Sequence, residues 1–333
     1  MLNQVGAGVA IIGSGSAAPE MTLNNHHLER MVETSDEWIT ARTGIQERRL
    51  ADAQGSLSAI ATQAAQGAIA MAGIAATDLD LIILATSTPD DLFGTACQIQ
   101  KHLGASQAVA FDMTAACSGF VFGMVTAAQF IRTGAYKNVL LIGADILSRW
   151  VDWSDRGTCI LFGDGAGAVV MQAWESDRFL GFELRSDGTQ NNALQLAYRP
   201  QAQEIVNGIN VAQGNFQPIA MNGKEVYRFA VQKVPEVIEK ALFRANLSTE
   251  QIDWLLMHQA NQRILDAVAQ RLNIPTEKVL SNLARYGNTS AASIPLALDE
   301  AVRQKKIHPG DIIAAAGFGA GLNWGAAIFR WGR

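Results

Sequence analysis

A cysteine with unusually small neighbours is the first residue whose setting suggests chemistry. Cys117 stands in TAACSGF, between the apolar run Val109–Asp112 and a helical stretch, Gly119–Ile131. This spacing places the thiol at a helix N-terminus, where the dipole and unpaired N–H groups stabilise a thiolate. Cys117 is therefore a candidate nucleophile. Most lone cysteines are small buried apolar residues, and we give that interpretation to Cys97 and Cys159.

Two further polar residues could act with the cysteine. His258 closes the apolar run WLLM, whereas the other four histidines stand in polar or helical settings. A histidine at the end of a buried strand is also commonly a hydrogen-bonded core group. Asn288, in YGNTS, fits either a site residue or a turn asparagine with a left-handed backbone. Each signal is weak alone and gains weight only if the fold brings the three residues together.

The elements that must position these residues alternate along the chain. The stretch Leu57–Ala72 repeats apolar residues at helical spacing and stops at Gly73, which predicts a helix with a glycine cap. Short apolar runs bounded by charge, glycine or proline predict buried strands. Such alternation indicates a layered α/β fold. The predicted strands are Val9–Ile12, Leu81–Ala85, Val139–Ile142, Trp254–Met257 and Ile312–Ala316.

An internal repeat organises this alternation. ATDLDLIILATSTPD resembles TEQIDWLLMHQANQR, with Asp80 and Asp253 separated by 173 positions. KNVLLIGAD resembles PGDIIAAAGFG at the same offset, with Asn138 matching Asp311. The sequence therefore predicts two copies of one α/β unit, 1–178 and 179–333, related by a pseudo-twofold axis within one compact body.

The repeat also predicts where the chemistry lies. At the offset of 173, Cys117 in TAACSGF matches Ser290 in GNTSAAS. Both stretches join an extended segment to a helix of small residues. A pseudo-twofold axis would bring the two helix N-termini together, and the strand-end loops at His258 and Phe318 would converge on the same point.

Composition excludes several classes of protein. The 333 residues are 49% hydrophobic and 17% charged, which excludes a disordered chain. The net charge of −5 argues against a basic nucleic-acid binder. Three cysteines without paired spacing predict neither a disulfide framework nor a zinc site and favour a reducing compartment. The low proportion of charge suggests extensive burial, including a subunit interface.

Two stretches mimic targeting signals or membrane spans. The apolar run Val9–Ile12 has no basic residue before it, since the first is Arg30, so we predict no signal peptide. Ile312–Phe329 is uncharged over 18 positions, long enough for a membrane span. Its glycines at every second position from Gly317 to Gly321 favour a strand, a tight turn and a second strand. We therefore expect no membrane insertion.

Two glycine motifs mimic nucleotide-binding loops. Gly13–Ala18 fits G-x-G-x-x-A, but Pro19 follows and no acidic residue closes a second strand about 20 positions later. Gly163–Ala168 lacks the Lys-Ser/Thr of a phosphate loop, which favours close backbone packing in a strand. Neither motif predicts a nucleotide cofactor.

Five motifs spread over the chain resemble one family. SDEWITARTGIQERR, TAACSGF, MHQAN, GNTSAASIPLALDEA and GFGAGLNWG together resemble β-ketoacyl-acyl-carrier-protein synthase III, from about Val9 to Arg330. The resemblance implies the thiolase-like fold, a duplicated α/β unit in five layers (α-β-α-β-α). It also implies the initiating condensation of type II fatty-acid synthesis, with an acyl-coenzyme A primer, expected to be acetyl-coenzyme A, and malonyl-acyl carrier protein as substrates.

The resemblance implies roles for the candidate residues. Cys117 corresponds to the acylated nucleophile, and His258 and Asn288 to its partners. The backbone N–H groups of Cys117 and Ala320 correspond to the oxyanion hole, although the family more often has glycine at the second position. Phe318 corresponds to the residue that keeps the substrate carboxylate poorly solvated and favours its loss.

Further positions correspond to binding surfaces. Trp38, Arg42 and Arg156 match residues around the coenzyme A nucleotide, and Gly223 matches the pantetheine tunnel. Lys224 stands where the family often has an amide, so no role is carried over to it. Each arginine could equally form a surface ion pair.

The implied partners are proteins as well as thioesters. Phe93 matches a residue that reaches the neighbouring subunit's acyl pocket, which implies a homodimer. Arg228, Arg263 and Arg271 would form a basic patch for the acidic carrier protein, although solvated helix faces look the same. The resemblance implies no metal and no cofactor, and a cytoplasmic or plastid stromal location.

Three alternatives stay open at the sequence level. A cysteine hydrolase would use Cys117, His258 and Asn288 in series, with the histidine as base. A non-catalytic protein could bind acyl thioesters without reacting. Plant-type polyketide synthases share the same three residue types but are longer chains. Product analysis with both thioester substrates separates the first two from a condensing enzyme.

Overall fold

The structure is a computed structural model that describes residues 8–333. The first seven residues of the predicted half 1–178 lie outside this range. The strands are β1 (Gly8–Ala17), β2 (Thr22–Asn24), β3 (Glu47–Arg49), β4 (Leu81–Ala85), β5 (Val109–Met113), β6 (Asn138–Asp145), β7 (Gly165–Trp174), β8 (Phe179–Ser186), β9 (Leu194–Gln195), β10 (Tyr198–Val206), β11 (Ile209–Phe216), β12 (Ala220–Met221), β13 (Trp254–Met257), β14 (Val279–Leu280), β15 (Ile312–Gly319) and β16 (Asn323–Arg330). The helices are α1 (Asn25–Leu28), α2 (Asp36–Thr43), α3 (Leu57–Ala72), α4 (Ala96–Leu103), α5 (Gly119–Arg132), α6 (Arg156–Cys159), α7 (Gly223–Arg244), α8 (Gln262–Arg271), α9 (Leu283–Tyr286) and α10 (Ser293–Arg303).

Two five-stranded sheets have the same topology. The first has the order β1-β7-β6-β4-β5, and the second, read from its other edge, has the order β8-β16-β15-β13-β14. In each sheet the three strands at one edge are parallel and the remaining pairings are antiparallel. The first sheet uses the chain up to Trp174 and the second begins at Phe179. The duplicated α/β unit is therefore a feature of the fold.

Helices and sheets alternate in five layers. Helix α3 packs its alanine-rich face on the outer face of the first sheet. Helices α5 and α10 fill the space between the sheets, where apolar side chains from both sheets meet. Helices α7 and α8 cover the outer face of the second sheet. All five predicted strands are present, and α3 ends at Gly73 in a left-handed conformation, as predicted.

The register of the repeat differs from the sequence prediction by one residue. Asp80 and Asp253 are equivalent, because their Oδ2 atoms accept hydrogen bonds of 2.8 Å from Asn138 N–H and Ile312 N–H. Asn138 therefore matches Ile312, not Asp311, and the offset grows from 173 to 174 beyond the first matched strands. One extra residue in the second copy is hidden in the connections, where sequence similarity is weakest.

The shifted register changes the residue that matches Cys117, the candidate nucleophile. A 3-10 turn at Ala116–Ser118 precedes α5, and a second turn at Ser290–Ala292 precedes α10. Each turn begins with a left-handed residue, at φ 47° in the first and 50° in the second. Cys117 therefore matches Ala291, and the predicted match with Ser290 was wrong.

The glycine-rich stretches are strands. Gly13 and Gly15 lie inside β1, where a Cβ on Gly15 would be 2.2 Å from the Ala64 carbonyl oxygen of α3. The motif therefore serves close helix–sheet packing rather than a nucleotide. Residues 312–329 form β15, a turn and β16, as predicted. Within residues 8–333, no helix combines the length and apolar character needed to cross a membrane.

Candidate active site

Cys117 lies where the two copies of the unit meet. Its turn packs against the end of β15, and a Cβ on Gly319 would lie 2.8 Å from Cys117 Cβ and 3.1 Å from Sγ. The side chain is buried, and α5 begins two residues further on. The predicted helix N-terminus is therefore confirmed, and only glycine at position 319 leaves space for the thiol.

The resting thiol is not a stabilised thiolate. The pKa of Cys117 is raised to about 11, chiefly by burial; a hydrogen bond with the Ser290 side chain lowers it, and the nearby Asp145 carboxylate raises it. Desolvation disfavours the charged form more than a single hydrogen bond favours it. Loss of water around the buried thiol therefore outweighs the thiolate stabilisation expected at a helix N-terminus, and the sequence pattern shows only the helix end.

His258 follows β13 and is buried in its neutral form. Its backbone N–H donates to Ala316 in β15 at 2.8 Å, and burial lowers the pKa of the ring to about 3. Nδ1 lies 2.7 Å from Ser293 Oγ, which also accepts a 3.3 Å bond from Gln259 N–H. The Phe318 ring meets the imidazole edge to face at a centroid distance of 5.2 Å. Two contacts thus fix the plane of the ring.

Asn288 is held through its backbone and its side-chain oxygen. Its N–H donates to the Leu161 carbonyl at 2.8 Å, and its own carbonyl accepts from Gly163 N–H at 3.0 Å. Its Oδ1 accepts a 2.9 Å bond from Ser290 N–H. The amide NH2 is therefore the group that this side chain can offer to a ligand.

One cavity of about 410 Å³ joins these side chains to the surface. Cys117, His258, Asn288 and Phe318 line it together, as the sequence analysis predicted for converging loops. Nearer the surface, its walls include three further predicted binding residues and two unpredicted ones: Arg42, Gly223, Arg263, Met221 and Tyr227. A buried reactive end and a cationic outer part suit an elongated anionic substrate.

Trp38 and its two arginines lie beside this cavity. The guanidinium carbons of Arg42 and Arg156 are each 4.9 Å from the centroid of the Trp38 ring. Arg156 also donates to the Glu33 carbonyl at 2.9 Å. The three predicted nucleotide-binding residues therefore form one cluster, in which cation–π contacts orient both arginines.

The other predicted residues lie outside the lining of the cavity. Arg228 is exposed on α7, and Arg271 at the end of α8 donates to the Val231 carbonyl at 3.4 Å. Phe93 is fully exposed in the loop before α4. Ala320 directly follows β15, and its carbonyl accepts a 3.1 Å bond from Asn323 Nδ2.

Sequence reasoning missed four residues around the site. They are two serines in GNTSAAS, the glycine that follows Phe318, and the aspartate that closes KNVLLIGAD: Ser290, Ser293, Gly319 and Asp145. Asp145 is fully buried, and its Oδ1 accepts bonds from Thr86, Ser87 and Thr88. An aspartate at the end of an apolar strand was the available signal, since buried carboxylates require several donors.

The hydrogen bonds do not form a serial triad. In a protease-like arrangement the asparagine would orient the histidine through a ring nitrogen. Here His258 Nδ1 is paired with Ser293, and Asn288 Oδ1 with Ser290. Both side chains instead line the cavity beside Cys117. The duplicated fold and this site define a thiolase-like condensing enzyme of the acyltransferase class.

Comparisons with known proteins agree with this class. The family described as 3-oxoacyl-[acyl-carrier-protein (ACP)] synthase III matches residues 111–188, and its C-terminal region matches residues 242–331. The chain is 73% identical over 326 residues to the β-ketoacyl-[acyl-carrier-protein] synthase III of Trichormus variabilis, covering 98% of this chain and 99% of that protein. The chain belongs to the β-ketoacyl-[acyl-carrier-protein] synthase III family.

Solved structures share the whole fold. The crystal structure of 3-oxoacyl-[acyl-carrier-protein] synthase III from Aquifex aeolicus is 45% identical, with a TM-score of 0.89 over 97% of this chain and all of that chain. The corresponding enzyme from Pseudomonas aeruginosa is 39% identical, with a TM-score of 0.88 over 98% and 99% of the two chains. The resemblance seen in five short motifs therefore extends over the entire chain.

Proposed function

We propose that this enzyme condenses an acyl-coenzyme A primer, acetyl-coenzyme A in the simplest case, with malonyl-acyl carrier protein. The products are 3-ketoacyl-acyl carrier protein, free coenzyme A and carbon dioxide, and the reaction initiates type II fatty-acid synthesis. The observation that carries the proposal is the buried cysteine beside two side chains that are not paired with each other. The cysteine of such a site can be acylated, and the two other side chains can then stabilise an anion that forms next to the acyl group.

In the first half-reaction the thiol of Cys117 attacks the thioester carbonyl of the primer. Burial keeps this thiol protonated, so in the proposed step its proton leaves during the attack and is taken up by the departing coenzyme A sulfur. The backbone N–H groups of Cys117 and Ala320 hold the tetrahedral oxyanion. When the intermediate collapses, coenzyme A leaves as its thiol and the acyl group remains on Sγ.

In the second half-reaction malonyl-acyl carrier protein loses carbon dioxide and leaves an enolate. In the proposed arrangement the Ser293 hydroxyl donates to His258 Nδ1, so the neutral ring carries its proton on Nε2. His258 Nε2–H and the Asn288 NH2 group then donate to the enolate oxygen. The enolate carbon attacks the acyl-cysteine carbonyl, the carbon–sulfur bond breaks to give the product and the Cys117 thiolate, and the thiolate takes a proton from water.

The surroundings favour this chemistry. Phe318 is buried against His258 and keeps the malonyl carboxylate poorly hydrated, which favours its loss as neutral carbon dioxide. Trp38, Arg42 and Arg156 hold the nucleotide and phosphates of coenzyme A, a task that suits planar guanidinium groups. Gly223 leaves space for the pantetheine arm.

Protein partners complete the assignment. Arg228, Arg263 and Arg271 dock the acidic carrier protein near the mouth of the cavity. The full exposure of Phe93 supports a homodimer in which this ring packs on the second subunit. We assign the reaction to the cytoplasm or, in an organelle, the plastid stroma, and it requires no metal or cofactor beyond the two thioesters.

Separate assays of the half-reactions test the proposal. The protein is incubated with acetyl-coenzyme A to measure acylation by intact mass, and with malonyl-acyl carrier protein to measure carbon dioxide release. We expect His258→Ala and Asn288→Ala to keep acylation and to lose decarboxylation by about 10²-fold or more, as for other anion-stabilising donors. Equal loss of both half-reactions in His258→Ala would assign the histidine as a general base instead.

The same incubation separates the alternatives. A cysteine hydrolase would release free acetate and form no 3-ketoacyl product. A non-catalytic thioester-binding protein would bind acetyl-coenzyme A without any mass increase on Cys117. Formation of 3-ketoacyl-acyl carrier protein by the wild type, and not by Cys117→Ser, is the expected result.

A further inference from the structure

A fully buried arginine lies just behind the site. Arg48, in β3, has no exposed surface, and burial lowers the pKa of its guanidinium to about 10. Its Nη1 donates to the Leu23 carbonyl at 3.1 Å and to Asn25 Oδ1 at 2.9 Å, and its Nη2 donates to the Ile160 carbonyl at 2.6 Å. Among the described residues, these partners are neutral oxygens and include no carboxylate.

The bond from Arg48 to the Ile160 carbonyl connects the arginine to the segment that pairs with Asn288. Ile160 begins a short segment whose next residue, Leu161, accepts the backbone N–H of Asn288 at 2.8 Å. Two residues later, Gly163 N–H donates to the Asn288 carbonyl at 3.0 Å. Arg48 therefore anchors the segment that holds the Asn288 backbone from both sides.

The aliphatic part of the same arginine packs against the two backbone segments that pair here, 160–163 and 287–288. A Cβ on Gly163 would lie 3.0 Å from Arg48 Cβ, and a Cβ on Gly287 would lie 3.3 Å from it. Gly287 also has a φ of 64°, which favours glycine. The stem of Arg48 thus packs against both segments, and its head group holds the first one at the Ile160 carbonyl.

A buried cation is costly, and an apolar side chain of similar volume would normally serve packing better. What the guanidinium adds is a rigid fork that binds oxygens on separate segments at fixed directions. We propose that Arg48 is a positioning residue that fixes Asn288 for donation to the enolate. This role rests on the proposed function, and it assigns Arg48 to decarboxylation rather than to acylation.

The test compares Arg48→Lys with the wild type in both half-reactions at saturating substrate. Lysine keeps the charge and hydrogen-bond donors but lacks the fork, so the variant shifts the Asn288 segment with little loss of polar contacts. We expect decarboxylation of malonyl-acyl carrier protein to fall by about 10-fold to 10²-fold, as for displacements near 1 Å. Acylation of Cys117 by acetyl-coenzyme A should stay within about twofold, and peptides containing Asn288 should gain hydrogen exchange.

Arg49→Lys is the matched control, because the neighbouring arginine in β3 donates to the Glu20 carbonyl and pairs with Glu47. It should change neither half-reaction. Should Arg48→Lys fail to fold, Arg48→Gln, which keeps a planar donor group, carries the same comparison. A parallel fall of acylation and decarboxylation, or no fall in either, overturns the role. A wild type that does neither half-reaction overturns the proposed function and this role together.

Discussion

The two central turns of the molecule have the same backbone and different chemistry. Ala116–Ser118 packs on the end of β15 from the other half, and Ser290–Ala292 packs on the end of β6. A Cβ on Gly317 would lie 2.9 Å from Ser118 Cα, and one on Gly143 would lie 2.2 Å from the Ala291 carbonyl oxygen. Each copy of the unit thus supports the turn of the other.

The difference arises at two pairs of equivalent positions. Cys117 in the first turn corresponds to Ala291 in the second, and Gly319 at the end of β15 corresponds to Asp145 at the end of β6. Asp145 Oδ2 accepts the Ala291 N–H at 3.1 Å and so anchors the second turn. Gly319 offers no side chain and leaves the first turn open to the cavity. The duplicated unit therefore has the same geometry twice, but the second turn is anchored by a carboxylate and the first is open to the cavity at Cys117.

The largest expected effect comes from moving the nucleophile between the turns. Cys117→Ser should abolish acylation by acetyl-coenzyme A, because a hydroxyl at this position lacks a thiol's nucleophilicity. Cys117→Ala combined with Ala291→Cys should also show no mass increase. Ala291 is buried within the second turn and does not line the cavity, so a thiol there cannot meet a substrate. Acylation of the double variant would mean that the two turns are functionally equivalent.

Closing the open turn should have the next largest effect. Gly319→Ala places a methyl group 2.8 Å from Cys117 Cβ and 2.9 Å from its backbone nitrogen, which forces the thiol to move. Acylation should slow by about 10²-fold, the scale of a displacement near 1 Å. Gly188→Ala is the control, since a Cβ there meets no atom within 4 Å. Unchanged acylation in Gly319→Ala would show that the cavity does not depend on the missing side chain.

Removing the anchor of the second turn should lower stability rather than change the reacting atoms. In Asp145→Asn one carboxylate oxygen becomes an NH2 group, which faces donors such as Ala291 N–H or Thr88 Oγ1–H. We expect a loss of about 1–3 kcal/mol in the free energy of unfolding, measured in urea. Asp152→Asn, at an exposed carboxylate, should change it by less than about 0.5 kcal/mol. Equal losses of unfolding free energy in the two variants would show that Asp145 does not stabilise the second turn specifically.

The smallest expected effect is on the pH dependence of Cys117 alkylation, in which Asp145, the anchor of the second turn, influences the thiol of the first. Because the pKa of Cys117 is raised to about 11, its alkylation by iodoacetamide should rise about tenfold per pH unit from 7 to 10 without a plateau. Cys97 is replaced by alanine for this measurement, because it is exposed and not buried as predicted. Asp145→Asn should shift the profile to lower pH, since the carboxylate raises the thiol pKa. A plateau near pH 7 would indicate a thiolate–imidazolium pair.

Most of the fold could be predicted from the pattern of the residues. Strands such as Leu81–Ala85 and Trp254–Met257 are apolar throughout because both faces are covered, and the structure has them with the same bounds. Helix α3 was predicted with both its ends, because its periodicity and its glycine cap are local features. The one-residue drift of the repeat was not predictable, since strand register is fixed by pairing between distant segments.

The site was only partly predictable. Cys117, His258 and Asn288 could be found from motif and repeat, and they line one cavity. The raised pKa of the thiol could not be predicted from the sequence, because it depends on burial of Cys117 by both halves of the chain. The roles of Ser293 and Arg48 could not be predicted either. Nothing near them in the sequence shows that Ser293 contacts His258 Nδ1 or that Arg48 contacts the segment that holds Asn288.

By itself the sequence determined the layered α/β class, the duplication and the three candidate side chains, because these follow from local periodicity and short motifs. Only the tertiary structure decided which turn is open and which is anchored. It also decided that His258 is neutral, that Cys117 is protonated at rest, and that the two partners are held separately. Those properties depend on desolvation and on hydrogen bonds between segments far apart in the chain, which no local pattern records.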